Sequence, residues 1–114
     1  MKIRVLVMVM VLFFSCNKTA KIPKELYNRE EMAHIMKDLY VLEYKVKELN
    51  LGTDSVKKVY DHYESKYYQE NEIDTARYEK SFQFYLNQPE HLEYIYTIIA
   101  DSLSLQDRMM KIEN

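Results

Sequence analysis

The fold of this chain is decided by residues 28–52, whose sequence is NREEMAHIMKDLYVLEYKVKELNLG. Asn28 is a suitable helix N-cap, and Glu31 follows at the position that completes a capping box. Beyond it, the apolar residues repeat at the spacing of one helix face: Met32, Ile35, Met36, Leu39, Leu42, Val46 and Leu49. The only glycine of the chain, Gly52, is then available as a left-handed C-cap. This pattern predicts a helix over 29–49.

Two shorter helices are predicted next. The second helix starts at Thr53 and runs to about residue 69. Its apolar face consists of Val56, Val59, Tyr60, Tyr63 and Tyr67. The following loop ends in Asp74, which is a good N-cap for a third helix over about 75–87. That helix aligns four large side chains: Tyr78, Phe82, Tyr85 and Leu86.

The fourth predicted helix has two apolar bands. Pro89 cannot donate a backbone hydrogen bond, so we expect it to be the first residue of a helix over 89–110. The main stripe consists of Leu92, Ile95, Tyr96, Ile99 and Leu103. The second band, on the far side, consists of Tyr94, Ile98, Leu105 and Met109. Such a helix is either central and covered by several neighbours, or it has a face that binds a partner.

The composition agrees with a helical fold. The 114 residues include only one Gly and two Pro, whereas turn-rich β-structure uses both residue types often. We therefore expect an all-α fold, with a small four-helix bundle-like domain over 28–114. The long first and fourth helices are expected to pack together, with the second and third forming a hairpin across them.

Residues 1–15 have the layout of a lipoprotein signal peptide. Lys2 and Arg4 precede an uninterrupted apolar run over 5–14, and Ser15 supplies the small residue at the cleavage site. A helix rises about 1.5 Å per residue, so this run covers about 15 Å, half of the hydrocarbon core of a bilayer. The run is therefore too short for a permanent transmembrane helix.

The only cysteine of the chain follows the apolar run directly. The segment Phe13-Phe14-Ser15-Cys16 resembles the lipobox of bacterial lipoproteins, in which the thiol receives a diacylglyceryl group and becomes the new N-terminus. The resemblance implies that lipidated Cys16 holds the protein on a membrane. The alternatives are a buried or incidental cysteine and cleavage by an ordinary signal peptidase. Residues 16–27 are expected to form a polar linker, with Tyr27 packed on Met32 as a hydrophobic staple.

Two further segments resemble a known family. One is the run over 81–96, SFQFYLNQPEHLEYIY, and the other is Glu31-Met32 followed by Asp38-Leu39-Tyr40. Over roughly 22–103 the chain resembles a family of small Bacteroidota lipoproteins with a domain of unknown function. The resemblance implies an outer-membrane anchor, and without an acidic export cluster after the cysteine it implies a domain that faces the periplasm. Tyr40 stands where relatives often have His, so no role of that His carries over.

The sequence contains no recognisable catalytic or cofactor-binding motif. His34, His62 and His91 are widely separated and lack the spacing of metal ligands. Acidic and basic residues are interspersed along a chain of net charge −2, so no basic stripe is available for nucleic acid. We expect no enzyme activity, no cofactor and no metal; an enzyme would need Asp38, His62 and Glu64 in one concave cluster. Asp38 is instead expected to accept a hydrogen bond from a tyrosine across the bundle.

Tyrosine is the unusual component, with eleven Tyr and no Trp. Most of the tyrosines fall on core-facing stripes, and burial of their rings is the default interpretation. The functional alternative is a groove lined by Tyr60, Tyr63, Tyr67, Tyr78 and Tyr85. Three aromatic residues fall off the stripes and are predicted to be exposed: Tyr44, Tyr68 and Phe84.

Two functions are compatible with these patterns. The first is a non-catalytic interaction module that docks on another envelope protein, or on a second copy, through Tyr94, Ile98, Leu105 and Met109. The second is a module that binds a small apolar or peptide ligand in the tyrosine-lined groove. In both, lipidated Cys16 provides the contact with the membrane.

Overall fold

The computed structural model of the chain describes residues 1–4 and 19–113. From residue 19 onward, the described chain forms four helices: α1, Arg29–Lys47; α2, Thr53–Glu70; α3, Thr75–Leu86; and α4, Pro89–Glu113. No strand occurs among the described residues, so the predicted all-α class is confirmed. The apolar run over 5–14 and Cys16 lie outside the described residues. Within the described residues, no helix combines the length and the apolar character that a membrane span requires.

The start of α1 is held by the predicted capping box. The Asn28 side chain accepts a hydrogen bond from the Glu31 amide at 2.8 Å. In return, the Glu31 carboxylate accepts one from the Asn28 amide at 2.7 Å. Both bonds satisfy backbone donors that the first helical turn leaves without partners, so the helix begins at Arg29 as predicted.

The end of α1 differs from the prediction. The helix stops at Lys47, and Leu49, which was predicted to lie on its apolar stripe, is 55% exposed. Asn50, with a φ of 52°, is the residue in the left-handed conformation. Gly52 instead has an extended backbone and is the N-cap of α2. Asn tolerates the left-handed region better than most residues with a side chain, so the chain turns two residues before its glycine.

The two remaining helix starts follow the prediction. The Asp74 side chain accepts a hydrogen bond from the Arg77 amide at 3.0 Å and caps α3. Pro89 is the first residue of α4, where its missing amide hydrogen costs nothing. The ends shift slightly: α3 stops at Leu86, whose side chain is 47% exposed, and α4 continues to Glu113.

The central helix is α1 rather than α4. It packs against each of the other three helices, and most extensively against α4, so the predicted pairing of the two long helices is confirmed. Six residues of α1 are buried, whereas α2 contributes none. The core residues share a relative exposure below a tenth: Tyr27, Met32, Ala33, Ile35, Met36, Leu39, Tyr85, Ile95 and Ile99.

The prediction that α2 and α3 form a hairpin across the long helices is wrong. Helix α2 lies along α1, whereas α3 packs against α4 and α1. Contact between α2 and α3 includes the tilted ring pair of Tyr68 and Tyr78, with centroids 6.0 Å apart. The apolar face of α2 is largely made of tyrosine, and the aliphatic stripe of α1 offers these rings more apolar surface than the short α3 does.

Residues 20–27, here called the lead segment, pack onto the helices. Tyr27 is 8% exposed and is joined to α3 and its N-cap by three hydrogen bonds and one cation–π contact. Its amide donates to the Ser81 hydroxyl at 2.9 Å, and its carbonyl accepts from the Tyr85 hydroxyl at 2.8 Å. The Arg77 guanidinium lies over its ring at 4.1 Å. The packed part of the protein therefore begins before Asn28, within the segment predicted as a linker.

The beginning of the lead segment is attached to α4. The carbonyl of Ala20 is hydrogen-bonded to Nε2 of His91 at 2.7 Å, and His91 itself is 8% exposed. Ile22 is partly buried against the core. The lead segment therefore continues the domain instead of acting as a free spacer.

Candidate functional site

A groove opens where α1, α2 and α3 meet. We call it the Tyr–Glu groove. Its volume is about 170 Å³, and its lining consists of Met36, Leu39, Tyr40, Glu43, Tyr60, Glu64, Tyr68, Tyr78 and Phe82. Met36 and Leu39 belong to the buried core of α1 and form the apolar floor. The groove therefore combines an apolar base, aromatic walls and two carboxylates.

The carboxylate of Glu64 organises the α2 wall of the groove. The hydroxyl of Tyr68 donates to its Oε1 atom at 3.1 Å, and the hydroxyl of Tyr60 donates to the same atom at 3.4 Å. Burial and the negative charge of Glu64 raise the pKa of Tyr60 to about 12 and that of Tyr78 also to about 12. The same two causes raise the pKa of Tyr68 well above its usual value. All three hydroxyls therefore stay protonated well above neutral pH, and those of Tyr60 and Tyr68 donate to Glu64.

The opposite wall of the groove is tied to α4. The hydroxyl oxygens of Tyr40 and Tyr96 lie 3.3 Å apart and share a hydrogen bond. Burial and this bond raise the pKa of Tyr40 above its usual value. Tyr96 was predicted on the main stripe of the fourth helix, but it is 44% exposed, because its hydroxyl reaches Tyr40 at the domain surface.

The structure brings together only part of the predicted tyrosine groove. Tyr60 and Tyr78 line the Tyr–Glu groove. Tyr67 lies beside it and donates to Asp38 at 3.0 Å, which confirms the predicted bond between Asp38 and a tyrosine across the bundle. Tyr63 is 47% exposed and packs edge-on against His62. Tyr85 is 1% exposed, because its hydroxyl satisfies the buried carbonyl of Tyr27.

Sequence reasoning missed the row that forms the groove. Tyr60, Glu64 and Tyr68 are spaced four residues apart, so they lie one above another on α2. The prediction chose the neighbouring row of Tyr60, Tyr63 and Tyr67 because Glu64 interrupts the true row with a charge. Tyr68 was therefore predicted to be exposed, but it is half-buried, as is Phe84. The prediction for Tyr44 is correct, since it is 64% exposed.

The four residues of the second predicted surface, on α4, fall into two pairs with different surroundings. Ile98 is partly buried against the core. The Tyr94 ring lies under the Arg29 guanidinium at 3.9 Å, and its hydroxyl donates to Glu30 at 3.3 Å. Ile98 is therefore packed inside the domain, and Tyr94, which is still 42% exposed, contacts α1 because α1 and α4 pack together here.

The remaining half of the band is exposed. Leu105 is 60% exposed and Met109 is 58% exposed. Ile112, which is 84% exposed, lies on the same helical face. We call Leu105, Met109 and Ile112 the α4 surface. Beside it, Lys37 of α1 and Ser102 of α4 help to line an open cleft of about 380 Å³.

The family of this domain follows from its sequence match. A family model described as Domain of unknown function (DUF4296) matches residues 23–109. The chain belongs to this family. The predicted membership in a domain family of unknown function is thereby confirmed. No match is found among curated proteins or among solved structures.

The DUF4296 match begins inside the lead segment. It includes Tyr27 and therefore the contacts by which this residue joins α3. It also includes the whole Tyr–Glu groove, and it ends at residue 109, within the α4 surface. Both surfaces thus involve the DUF4296 domain itself.

The three histidines of the DUF4296 domain have separate surroundings. His34 is a surface residue, with Nε2 3.4 Å from the Asp38 carboxylate and a side chain that is 66% exposed. His62 packs against Tyr63, and His91 is bonded to the carbonyl of Ala20. Among the described residues, no three His, Cys, Asp or Glu side chains are grouped in a way that could hold a metal ion.

Proposed function

We propose that this chain is a lipid-anchored cell-envelope protein whose helical domain is a non-catalytic protein-interaction module. The observation that carries the proposal is the α4 surface, where Leu105, Met109 and Ile112 expose apolar side chains along one helical face. A contiguous apolar face on a small domain usually marks an interaction site. Its occupant in this proposal is another envelope protein that presents an apolar helix, a common way to cover such a face.

The anchor in this proposal is Cys16 after cleavage of the signal peptide. Because the lead segment is bonded to His91 from Ala20 onward, only four residue steps separate the lipidated residue from the packed domain. Four extended residues span at most about 14 Å. The domain would thus work directly at the bilayer surface. We further propose the outer membrane as its location, with the domain facing the periplasm.

The anchor is tested by mass spectrometry and fractionation of Cys16→Ala. The expected result is a mature wild-type protein that begins at Cys16 and carries added acyl chains, with the variant released from the membrane fraction. Two or three buried acyl chains hold a protein on a bilayer essentially permanently, so the release should be nearly complete. An unmodified mature N-terminus, or unchanged membrane association of the variant, would refute the anchor.

The α4 surface is tested by photo-crosslinking in the intact cell envelope. A photoreactive residue at position 105 is expected to capture one partner of defined mass, and Met109→Asp should abolish that product. The matched control position is 107, because the Asp107 side chain is 58% exposed and lies on the opposite face of the helix. A product of twice the domain mass would identify a second copy as the partner instead. Equal products at both positions, or none, would refute the proposal.

We propose peptide binding in the Tyr–Glu groove as a second function. It is supported by the aromatic walls over an apolar floor, a lining that suits side-chain recognition. The two carboxylates make the groove a poor site for a wholly apolar ligand, because binding such a ligand would desolvate them without replacement. A domain that binds no short peptide from a mixed-sequence library at millimolar concentration would rule this function out.

A further inference from the structure

We propose that the Tyr–Glu groove binds a single positively charged side chain, lysine or arginine, of a partner polypeptide. The proposal rests on the second function above and names its ligand class. It is independent of the α4 surface, which lies on another helix. The observations that carry it are the charge of the groove, the arrangement of its aromatic walls and its size.

The charge of the groove favours a cation. Its described lining includes Glu43 and Glu64 and contains no lysine, arginine or histidine. Glu43 forms an ion pair with Lys47 at 2.7 Å, but the two side chains are 47% and 65% exposed. A solvent-exposed pair of this kind contributes little, so Glu43 can exchange Lys47 for an incoming cation at small cost.

The aromatic walls suit the same ligand. Tyr60, Tyr68, Tyr78 and Phe82 line the groove, with the last two stacked on each other. An aromatic ring attracts a cation that lies over its face within about 6 Å of its centroid. The domain already uses this interaction twice elsewhere. The Arg77 guanidinium lies 4.1 Å from the Tyr27 ring centroid, and the Arg29 guanidinium lies 3.9 Å from that of Tyr94. The described lining of the groove contains no basic side chain that could make this contact with its rings.

The hydrogen bonds of the groove hold Glu64 ready for such a ligand. Both tyrosine hydroxyls donate to the same carboxylate atom, Oε1. This arrangement fixes the carboxylate in position and leaves Oε2 to accept from an ammonium or guanidinium group. A charge-assisted hydrogen bond to a preorganised acceptor is stronger than one between neutral groups.

The size of the groove sets the limit of one side chain. Its volume of about 170 Å³ is close to that of a cavity of about 150 Å³ that holds one benzene molecule. The alkyl stem of a lysine can lie on Met36 and Leu39 while its ammonium group stays near the carboxylates, as long basic side chains commonly do. A folded polypeptide segment would be too large.

The test compares two probes that differ only by the terminal ammonium group of the side chain: Nα-acetyl-lysine methylamide and Nα-acetyl-norleucine methylamide. Four of the eleven Tyr line the groove and the chain has no Trp, so a change in tyrosine fluorescence that Glu64→Gln removes reports on the groove. The lysine probe is expected to bind with a Kd on the order of millimolar, and about tenfold more tightly than the norleucine probe. Glu64→Gln should weaken the lysine probe about tenfold.

The matched control is Glu70→Gln, on the same helix but outside the groove, where the Glu70 side chain is 63% exposed. It should leave binding of the lysine probe unchanged. Circular dichroism checks that each variant folds. If Glu64→Gln does not fold, Glu43→Gln takes its place and should likewise weaken binding of the lysine probe.

Equal binding of the two probes would overturn the charge preference while leaving the second function standing. Binding of neither probe would overturn the proposal, and the peptide-library measurement then decides whether the second function stands. Loss of binding in Glu70→Gln as large as in Glu64→Gln would also overturn the proposal, because it would indicate a diffuse effect of charge.

Discussion

Tyr27 connects the lead segment to α3 through every polar group it has. Its amide, carbonyl and hydroxyl are bonded to Ser81, Tyr85 and the Asp74 amide, respectively. The hydroxyl of Ser81 also donates to the Arg77 carbonyl at 2.7 Å, so the polar groups of Tyr27 and Ser81 all have partners although both residues are buried. Buried polar groups that lose a partner are costly, which makes this connection sensitive to single changes.

Tyr85→Phe is expected to lower the free energy of unfolding by about 1–3 kcal/mol. The substitution removes the hydroxyl that donates to the Tyr27 carbonyl and leaves that buried carbonyl without a donor. Urea unfolding followed by circular dichroism measures the change. Tyr44→Phe is the matched control, since its ring is 64% exposed, and it should change stability by less than about 0.5 kcal/mol. Equal effects of the two substitutions would contradict the role of this bond.

At the scale of elements, the connection between α1 and α2 shows how a helix boundary is set. The residue that bends the chain is Asn50, with its φ of 52°, and Gly52 has a φ of −61° and a ψ of 154°. Gly52 precedes α2 without a side-chain cap, and a Cβ atom added there meets nothing within 4 Å. The glycine therefore occupies a position that a capping side chain could fill.

Gly52→Ser is expected to stabilise the domain by about 1 kcal/mol. The hydroxyl would cap α2, and the unfolded chain would lose some of the freedom of glycine. Asn50→Ser is the comparison, and it should destabilise, because Ser tolerates the left-handed region less well than Asn. Thermal unfolding of both variants provides the measurement. If Gly52→Ser destabilised the domain and Asn50→Ser did not, Gly52 rather than Asn50 would be the residue in the left-handed conformation.

The second apolar band of α4 has a partly buried half at Ile98 and an exposed half at Leu105, and a carboxylate introduced in each half should affect stability differently. Ile98→Asp is expected to lower the free energy of unfolding by about 2–4 kcal/mol, because it places a carboxylate against the core. Leu105→Asp should change it by less than about 0.5 kcal/mol, since Leu105 is 60% exposed. Chemical unfolding of the purified domain distinguishes them. A large loss for Leu105→Asp would show that the α4 surface belongs to the core.

At the scale of the whole molecule, the lead segment is part of the folding unit. A chain that starts at Thr19 is expected to be as stable as the mature protein. One that starts at Asn28 should lose at least about 3 kcal/mol, because it lacks the buried Tyr27 ring and its hydrogen bonds. A chain that starts at Lys24 should fall between them, since it keeps Tyr27 but lacks the contacts of Ala20 and Ile22 and the Pro23 carbonyl that accepts from the Leu26 amide. Equal urea midpoints for all three would contradict this view.

The tyrosines also determine how the domain responds to alkali. Burial raises the pKa of Tyr60 and Tyr78 from 10.0 to about 12 in the folded state. Below pH 10 both states keep these protons, so this contribution to stability is fully present. Between pH 10 and about 12 the unfolded chain releases protons that the folded chain retains, and stability therefore falls as pH rises. Urea unfolding at increasing pH measures the slope, which Tyr78→Phe should reduce. A slope that is flat over this range would contradict the burial of these hydroxyls.

The sequence by itself determined the helices, because their signals are local. The capping box at Asn28, the cap at Asp74 and the proline at the start of α4 each act within one turn of helix, and all three appear as predicted. The periodic apolar stripe likewise predicted α1, although only the structure showed that this helix carries most of the core. Where two local signals competed, as between Asn50 and Gly52, the prediction failed by only a few residues.

Only the tertiary structure decided which tyrosines face the groove and where the domain begins. Tyr63, Tyr67 and Tyr68 lie within six residues on one helix, and their surroundings differ because α1 and α3 approach α2 from particular directions. The contact of Tyr27 with Tyr85 joins residues 58 positions apart. Helical periodicity specifies a face but not the neighbour that covers it, since that choice depends on packing between segments distant in the chain.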